Sequence, residues 1–324
     1  MKKIVYTQYG SPDAIELIEI EKPVPSDNQV LVKVYAASVN ALDWHRLRGA
    51  MGIRLMNGEL FKPKETSLGL DVAGRVEAVG NNVTKFQPGD KVFGIAQGSF
   101  AEYACADEHE LVLKPANVSF EAAAATPVAA LTALQALKDR IQPGQKVLIN
   151  GASGGVGTFA VQIAKSFGTI VTAVCSPRNM DTARSIGADH LIDYTREDLT
   201  ANGQQYDLIF AANGYNSIFD YRRVLGSTGI YVAAGGELAQ ILQALLVGPM
   251  LSKFGRKQLS FMGITQIEEK DLSVISELLA SGKVVPVIDR WYPLGATSEA
   301  LQSFGEEHTK GKIIITVRPD HDNS

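Results

Sequence analysis

The chain has 324 residues, enough for two domains of ordinary size, and 45% of them are hydrophobic while 20% are charged. This balance excludes a disordered chain, and the net charge of -4 offers no positive field to nucleic acid or to an anionic membrane. The two cysteines, Cys105 and Cys175, are too few for a disulfide framework or a zinc site made of several thiolates. The first residues do not resemble a secretory signal, and the longest apolar run, residues 122–137, falls short of a membrane span. We therefore expect a globular cytoplasmic protein with no nucleic-acid or membrane partner.

Short strands separated by Gly, Pro, Asp and Asn are predicted for the first third of the chain. They are residues 15–20, 30–37, 72–79, 91–94, 100–105 and 111–114. In residues 30–34 and 72–79 the polar side chains fall at alternate or nearly alternate positions, which is typical of half-buried antiparallel strands. The front third is predicted to form a small β domain.

A long Ala-rich helix is predicted from Ser119, and after it apolar strands alternate with helices. The predicted strands are residues 146–150, 169–174, 190–193, 206–210, 229–233 and 259–264, with helices at 158–167 and 180–186. Six apolar strands with helical crossovers indicate a doubly wound parallel sheet. The fold class is therefore α/β.

The end of the chain is predicted to return to the first domain. After Glu268 come one amphipathic helix, residues 272–280, and two strands, 284–288 and 312–317. These strands are of the early type, so we assign residues 1–120 and 266–324 to one domain and residues 121–265 to the dinucleotide-binding domain.

A glycine-rich turn follows the strand 146–150 and leads into a helix. Against the G-x-G-x-x-G template, Ala152 takes the first position, Gly154 the second and Gly157 the third. The first N–H groups of a helix and its dipole favour a negative group, so this turn predicts a pyrophosphate site, with an ordinary strand-to-helix turn as the alternative. The residues expected to contact the cofactor are Gly154, Gly155, Val156 and Gly157.

The end of the next strand indicates which dinucleotide binds. A NAD site expects Asp or Glu about 20 residues past the glycine loop, to accept hydrogen bonds from the ribose hydroxyls. Here Ser176, Arg178 and Asn179 stand instead, and a guanidinium suits a 2′-phosphate. We predict NADPH as the cofactor; a polar surface turn without a ligand is the alternative.

The chain resembles the medium-chain dehydrogenase/reductase superfamily, and within it the zinc-independent quinone oxidoreductase and alkenal/enone reductase group. The resemblance rests on residues 37–44, 69–76, 100–103, 131–133, the glycine loop and residues 311–314. It implies a GroES-like β-barrel catalytic domain beside a Rossmann domain. It also implies a homodimer, because relatives commonly pair the edges of their Rossmann sheets.

Zinc-containing members of this superfamily have a cysteine at the position of Asn40 and a His-Glu pair at the positions of Leu70 and Asp71. An amide and an alkyl side chain do not replace a thiolate and an imidazole as zinc ligands, so we predict no metal. Without a Lewis acid, reduction of a simple ketone loses its main oxyanion stabiliser. A conjugated acceptor is easier to reduce, because the arriving electrons delocalise onto an oxygen.

We therefore predict an oxidoreductase that transfers hydride from NADPH to a quinone or an α,β-unsaturated carbonyl, both small molecules. Two alternatives remain: a zinc-free dehydrogenase of simple carbonyls or alcohols, and an NADPH-binding structural or regulatory protein without turnover. Turnover of NADPH with a panel of acceptors separates the three.

The resemblance also assigns single residues. It implies that Asn40 lies near nicotinamide and substrate, with a local turn role as the alternative, and that His45 relays a proton, with a solvated surface histidine as the alternative. Asp43 either orients its neighbours or caps the next turn. Further cofactor contacts are implied for Thr132, Tyr194, Asn213 and Gly235. For Thr132 the plain alternative is a hydroxyl bonding within its own helix.

Three other features receive no catalytic role. Lys310 and Lys312 either approach the cofactor or flank a strand, and they stay unassigned. The two cysteines are expected to be inert small apolar residues rather than nucleophiles, because neither has a paired histidine nearby in the sequence. The apolar stretch 238–257 ends in Lys253, Arg256 and Lys257, and it lines a substrate entrance, forms a subunit contact or ends a solvated helix.

Overall fold

The computed structural model describes residues 1–57, 61–64, 66–201, 203–236, 238–253, 255–306 and 309–319. The chain divides into two compact units. The first consists of Met1–Val128, Ile267–Ser281 and Ile288–Ser324, and the second of Ala129–Gln266 and Gly282–Val287.

The first unit opens with seven strands and three short helices along the described chain. These are β1 (Lys2–Tyr6), β2 (Ile15–Glu19), β3 (Gln29–Ser38), α1 (Ala41–Leu47), α2 (Met51–Asn57), β4 (Asp71–Val79), β5 (Lys91–Ile95), β6 (Tyr103–Asp107), β7 (Leu111–Leu113) and α3 (Phe120–Ala124). Six of the strands overlap the predicted ones. The sequence analysis missed β1, whose five residues pair with β2.

The second unit alternates strands and helices. Its elements are α4 (Pro127–Leu137), β8 (Lys146–Asn150), α5 (Gly155–Ser166), β9 (Ile170–Cys175), α6 (Met180–Ser185), β10 (His190–Asp193), β11 (Tyr206–Ala211), α7 (Ile218–Val224), β12 (Leu225–Ala233), α8 (Leu238–Leu242), α9 (Gly248–Lys253) and β13 (Gln258–Phe261). A π-helical turn, Gln243–Val247, joins α8 to α9. The six strands form one parallel sheet in the order β10-β9-β8-β11-β12-β13, which confirms the predicted α/β class.

The single Ala-rich helix predicted from Ser119 is wrong, because the chain forms two helices there, α3 and α4. Pro127 begins the second helix; proline lacks an N–H and is favoured at a first helical position. The Thr126 hydroxyl donates to the carbonyl of Ala122 at 2.8 Å and so bonds back to the first helix.

The C-terminal part of the first unit contains α10 (Glu269–Ala280), β14 (Ile288–Pro293), α11 (Thr297–Glu306) and β15 (Lys312–Thr316). Strand β15 pairs antiparallel with β3 and parallel with β14. The resulting sheet has the order β14-β15-β3-β4-β5-β7, and β6 also pairs with β3. The last strand thus completes a sheet that the early strands begin.

The strand predicted at residues 284–288 is wrong. Strand β14 begins only at Ile288, and the preceding Gly282–Val287 groups with the second unit. The reason is a pair of hydrogen bonds to α5: the Gln162 side chain donates to the carbonyl of Val285 at 3.0 Å and accepts from its N–H at 2.8 Å. An amide side chain therefore takes the backbone groups that a neighbouring strand would use.

Strand pairing in the first unit brings distant polar residues together. Val30, Val32 and Val34 of β3 are buried at alternate positions. The same strand ends at Ser38, which lies opposite Asp71 of β4 and opposite Ile314 of β15. The ends of three strands meet at this point, and the candidate site of the first unit lies there.

No helix in the described part of the chain is long and apolar enough to cross a membrane.

Candidate active site

Asn40 follows β3 directly and lies in a buried cluster of the first unit, which we call the Asn40 cluster (Ser38, Asn40, Asp71 and Lys312). The side chain of Asn40 is held at both ends. Its Nδ2 donates to Asp71 Oδ2 at 2.8 Å, and its Oδ1 accepts from Lys312 Nζ at 2.6 Å. Asn40 is 6% exposed and is the N-cap residue of α1, so it combines a local role at the start of this helix with buried, paired amide groups.

Lys312 is the member that sequence reasoning left unassigned. Its residue is only 3% exposed, and Nζ donates to the carbonyl of Val39 at 3.0 Å and contacts Asp71 Oδ2 at 3.2 Å, in addition to Asn40. An ammonium has three N–H donors, and each has an acceptor here. In the sequence, this lysine directly precedes three isoleucines. That pattern alone does not show whether the lysine is a solvated strand end or a buried charge.

Asp71 balances the charge of this ammonium. Its Oδ2 also accepts from the Ser38 hydroxyl at 2.6 Å, and its Oδ1 accepts from the N–H of Val128 at 2.8 Å. A buried ion pair is tolerated only when its remaining polar atoms are satisfied as well, and this one meets that condition.

Asp43 lies next to the cluster, at the start of α1. Its two carboxylate oxygens accept from the backbone N–H groups of Asn40 and Gly69, each at 2.9 Å. Burial raises the pKa of Asp43 to about 6, because the loss of hydration outweighs the two N–H donors; Asp71 raises it further and Lys312 lowers it. Asp43 thus both caps α1 and fixes the backbone of Asn40.

His45 lies on the exposed side of α1, two residues past Asp43. Partial burial lowers the pKa of its imidazole, because desolvation disfavours the charged form. The ring is therefore mostly neutral at neutral pH, which suits a group that passes a proton on rather than storing it.

The glycine loop of the second unit has the geometry of a phosphate cradle. A Cβ on Gly157 would lie 2.0 Å from the carbonyl oxygen of Gly151, so only glycine allows the helix to approach the turn this closely. A Cβ on Gly154 would meet no atom nearer than 3.7 Å, so the backbone there is open to a ligand. Gly155 and Val156 begin α5, and their N–H groups belong to its first turn. These residues fit a dinucleotide pyrophosphate.

The turn after β9 contains the residues predicted for the adenosine end. The backbone N–H of Asn179 donates to the carbonyl of Ser176 at 2.9 Å, and its Nδ2 donates to the Ser176 hydroxyl at 3.2 Å. Among the described residues, the buried Oδ1 of Asn179 finds no hydrogen-bond donor. Arg178 is exposed beside it. An acceptor without a partner next to an exposed guanidinium fits an adenosine ribose with a phosphate.

The carboxylate at the end of the neighbouring strand is already engaged. Asp193 ends β10 opposite Cys175, and its Oδ1 accepts from the N–H and hydroxyl of Thr195 at 2.9 and 2.7 Å. Burial and this carboxylate raise the pKa of Cys175 to about 11, which agrees with an inert thiol.

Two other predicted cofactor residues make contacts within the second unit. The hydroxyl of Thr132 on α4 lies 2.8 Å from that of Thr265, a contact across 133 residues. Tyr194 follows β10, is 38% exposed, and packs its ring at a tilt against Tyr215 with 5.3 Å between centroids.

Asn213 and Gly235 follow β11 and β12, at the carboxyl ends of adjacent parallel strands. The N–H of Asn213 donates to the carbonyl of Asn150 at 3.3 Å, and its side chain is exposed. A Cβ on Gly235 would lie 2.8 Å from the carbonyl oxygen of Ala212. In sheets of this kind ligands bind at the carboxyl ends of the strands, which is where both residues lie.

Sequence reasoning missed Gln240 at the same edge. Its buried Oε1 has no donor in the described part of the chain, and its Nε2 donates to the carbonyl of Asn216. Cβ atoms on Gly236 and Gly214 would lie 2.5 and 3.1 Å from this Oε1, so the two glycines make room for the side chain. A glutamine in an apolar helical stretch carried no signal by itself.

Across the described ranges, no three His, Cys, Asp or Glu side chains are grouped so that they could hold a metal ion.

Comparisons with known proteins match both parts of the chain. Residues 26–116 match the alcohol dehydrogenase GroES-like domain, and residues 186–315 match the family described as zinc-binding dehydrogenase. A chloroplastic quinone oxidoreductase of Triphysaria versicolor is 32% identical over 335 residues, which cover 97% of this chain and 98% of the relative. A chloroplastic NADPH-dependent alkenal/one oxidoreductase of Arabidopsis thaliana is 30% identical over 98% of this chain and 80% of the relative.

The fold has a close counterpart as well. The structure of the quinone oxidoreductase from Coxiella burnetii matches with a TM-score of 0.87 and 31% identity, covering 98% of this chain and 99% of that one. These matches confirm the predicted pairing of a GroES-like domain with a parallel-sheet Rossmann domain. The chain belongs to the medium-chain dehydrogenase/reductase superfamily, within its quinone oxidoreductase and alkenal/enone reductase group of NAD(P)-dependent oxidoreductases.

Proposed function

We propose that this protein is an NADPH-dependent reductase that transfers hydride to a quinone or an α,β-unsaturated carbonyl without a metal. The observation that carries the proposal is the Asn40 cluster: an amide, an ammonium and a carboxylate pair with one another at a position where zinc-containing members have metal ligands. The names of the relatives, quinone oxidoreductase and NADPH-dependent alkenal/one oxidoreductase, support the choice of acceptor.

The chemistry divides between the two units. NADPH, when bound, supplies the hydride. Gly154, Gly155, Val156 and Gly157 hold its pyrophosphate, and Ser176, Arg178 and Asn179 hold its adenosine end. Thr132, Tyr194, Asn213 and Gly235 complete the cofactor contacts.

The first unit acts on the acceptor. Hydride adds to the β-carbon of an enone or to the quinone ring system, and the electron pair moves onto the carbonyl oxygen. An amide N–H of Asn40 hydrogen-bonds this oxygen, which needs less stabilisation than the oxyanion of a simple ketone because its charge is delocalised. His45 passes the proton that completes the product.

The loss of NADPH absorbance with a panel of acceptors tests this function. The panel contains quinones, enones, simple ketones and, in the reverse direction with NADP⁺, alcohols. We expect turnover with quinones or enones that persists in the presence of a chelator. Turnover confined to simple ketones or alcohols, loss of activity with the chelator, or tight NADPH binding without turnover would contradict the proposal.

The preference for NADPH has its own test in Arg178→Ala. A charge-assisted hydrogen bond contributes about 1.5–3 kcal/mol, so the KM for NADPH is expected to rise about tenfold to a hundredfold while the KM for NADH stays unchanged. Arg184→Ala is the matched control, because Arg184 is an exposed arginine of α6 beside Asp181. Equal KM values for NADPH and NADH in the wild-type protein would contradict the assignment of NADPH as the preferred cofactor.

We further propose a cytoplasmic homodimer. The support for the dimer is β13, an edge strand of the parallel sheet, together with the exposed apolar side chains before it. The support for the cytoplasmic location is the low cysteine count; the two relatives described above are chloroplastic.

A further inference from the structure

The partners of Asn40 leave no choice in how its carboxamide is oriented. Lys312 is an ammonium and only donates hydrogen bonds, whereas the Asp71 carboxylate only accepts them. Lys312 Nζ lies 2.6 Å from Oδ1 of Asn40, and Asp71 Oδ2 lies 2.8 Å from its Nδ2. Turning the amide over would point N–H groups at an ammonium and an oxygen at a carboxylate. The orientation of this side chain is therefore set by charge on both sides.

One hydrogen of Asn40 remains weakly used in this arrangement. Nδ2 carries two hydrogens, and the first is taken by Asp71. Among the described residues, the second reaches only the carbonyl of Ser38, at 3.4 Å, beyond the usual range for an N–H···O hydrogen bond. Oδ1 already accepts from Lys312 Nζ at 2.6 Å, so it faces a cation. Asn40 can thus offer a donor to a further partner.

We propose that Lys312 is a positioning residue of the active site: with Asp71 it locks the Asn40 carboxamide so that its second Nδ2 hydrogen is presented to the substrate oxygen. This role rests on the proposed function for its catalytic consequence. Lys312 acts through Asn40 and does not touch the reacting atoms.

Burial makes the lock effective. Lys312 and Asp71 are 3% and 0% exposed, so water does not compete for their hydrogen bonds. A donor that is already oriented costs no reorganisation when charge develops on the substrate oxygen. Without the ammonium, the Asn40 amide is held by the Asp71 carboxylate alone, and its orientation is less strictly set.

The kinetic test is a double-mutant cycle of Lys312→Met and Asn40→Ala. We expect Lys312→Met to lower kcat with the best quinone or enone about tenfold to a hundredfold, with the KM for NADPH unchanged. In the Asn40→Ala background the same lysine substitution should cause no further loss, because the group it positions is gone. An equal loss in both backgrounds, or an unchanged kcat in the single variant, would overturn the proposal. Lys310→Met, two residues away, is the matched control and should keep the wild-type rate.

A double variant that removes both charges distinguishes a folding defect from loss of the fixed Asn40 orientation. Lys312→Met alone leaves a buried carboxylate without its cation, which is destabilising. The double variant Lys312→Met/Asp71→Asn removes both charges and keeps one carboxamide oxygen at position 71. Thermal unfolding and NADPH binding verify that it is folded, and we expect it to show the same loss of kcat. A folded pair with the wild-type rate would also overturn the proposal.

A spectroscopic measurement tests the lock without any turnover. In protein carrying isotope-labelled asparagine, the Asn40 side-chain amide is identified by its absence in Asn40→Ala. We expect Lys312→Met to shift both amide protons of Asn40 and to speed their exchange with water, and Lys310→Met to leave them unchanged. Unchanged signals in Lys312→Met would refute the lock, whereas a wild-type protein that reduces no quinone or enone would instead refute the proposed function.

Discussion

Asp43 shows how one buried carboxylate affects both stability and the site. It accepts the N–H groups of Asn40 and Gly69, so its charge holds two segments of backbone that border the Asn40 cluster. Burial nevertheless raises its pKa from 3.8 to about 6. A carboxyl whose pKa is raised in the folded state favours folding most below about pH 4, where it is protonated in both states, and this contribution is lost as the pH rises to about 6.

This shift predicts a pH dependence of unfolding. Between about pH 4 and pH 6 the unfolded chain releases the Asp43 proton while the folded chain keeps it, so the free energy of unfolding falls with rising pH, by about 3 kcal/mol in total. In the Asp43→Asn variant, this fall of the free energy of unfolding with pH should be absent. Urea unfolding of wild type and Asp43→Asn, followed by tryptophan fluorescence, checks it, because both tryptophans, Trp44 and Trp291, belong to the first unit. Equal slopes in the two proteins would show that Asp43 titrates normally.

His45 provides a second prediction for a single side chain. Its imidazole is exposed on α1 and its pKa is lowered by partial burial, so a relay by the neutral ring is chemically suitable. If it relays the proton, His45→Ala should lower kcat by at least about tenfold with little change in KM for NADPH. His190→Ala, an exposed histidine of β10, is the control. An unchanged kcat in His45→Ala would leave the residue without a catalytic role.

At the scale of elements, the junction of β8 with α5 carries its own prediction. A methyl group added at Gly154 would meet no atom nearer than 3.7 Å. A methyl group added at Gly157 would lie 2.0 Å from the carbonyl oxygen of Gly151. Gly157→Ala should therefore destabilise the second unit and lower its Tm. Gly154→Ala should keep the wild-type Tm but weaken NADPH binding at least about tenfold, because the methyl occupies the space where the pyrophosphate approaches.

Calorimetry and NADPH titration separate the two glycine variants. A normal Tm for Gly157→Ala would show that the helix yields to the methyl group. Normal NADPH affinity in Gly154→Ala would show that the open side of the loop does not face the pyrophosphate.

The elements also show where sequence patterns succeed and fail. Strand β10 has the predicted bounds, His190–Asp193, because a short apolar strand between two turn signals is a local pattern. The strand predicted at residues 284–288 failed for a long-range reason: Gln162 takes the hydrogen bonds of Val285. Helix α11 was not predicted, although its buried Ala300 and Leu301 pack in the first unit.

The whole molecule is predicted to be a dimer through the second unit. Leu242, Leu245, Leu246 and Met250 recur at helical spacing and are exposed, next to the edge strand β13. Leu246 is 68% exposed, so Leu246→Glu should not disturb the core of one protomer, yet it would place a charge in a paired apolar surface. We expect this variant to sediment as a monomer.

Analytical ultracentrifugation of wild type and variant measures this directly. Val24→Glu is the control, because Val24 is 87% exposed and lies in the first unit. A monomeric wild type, or a dimeric Leu246→Glu, would contradict the proposed surface.

The sequence by itself determined the features that depend on neighbouring residues. The glycine loop, the alternating strands and helices of the second unit, and the absence of a carboxylate at Ser176–Asn179 all follow from spacings of a few residues. Such patterns are readable because glycine, proline and apolar periodicity act on the local backbone.

Only the tertiary structure decided which distant residues form the site. Lys312 is 272 residues from Asn40 and 241 from Asp71, and the three meet because β15 and β4 both pair with β3. Whether a lysine is a solvated strand end or a buried cation depends on that pairing and on the carboxylate opposite it. Burial and charge balance are properties of the assembled sheet, so no single segment of the sequence contains them.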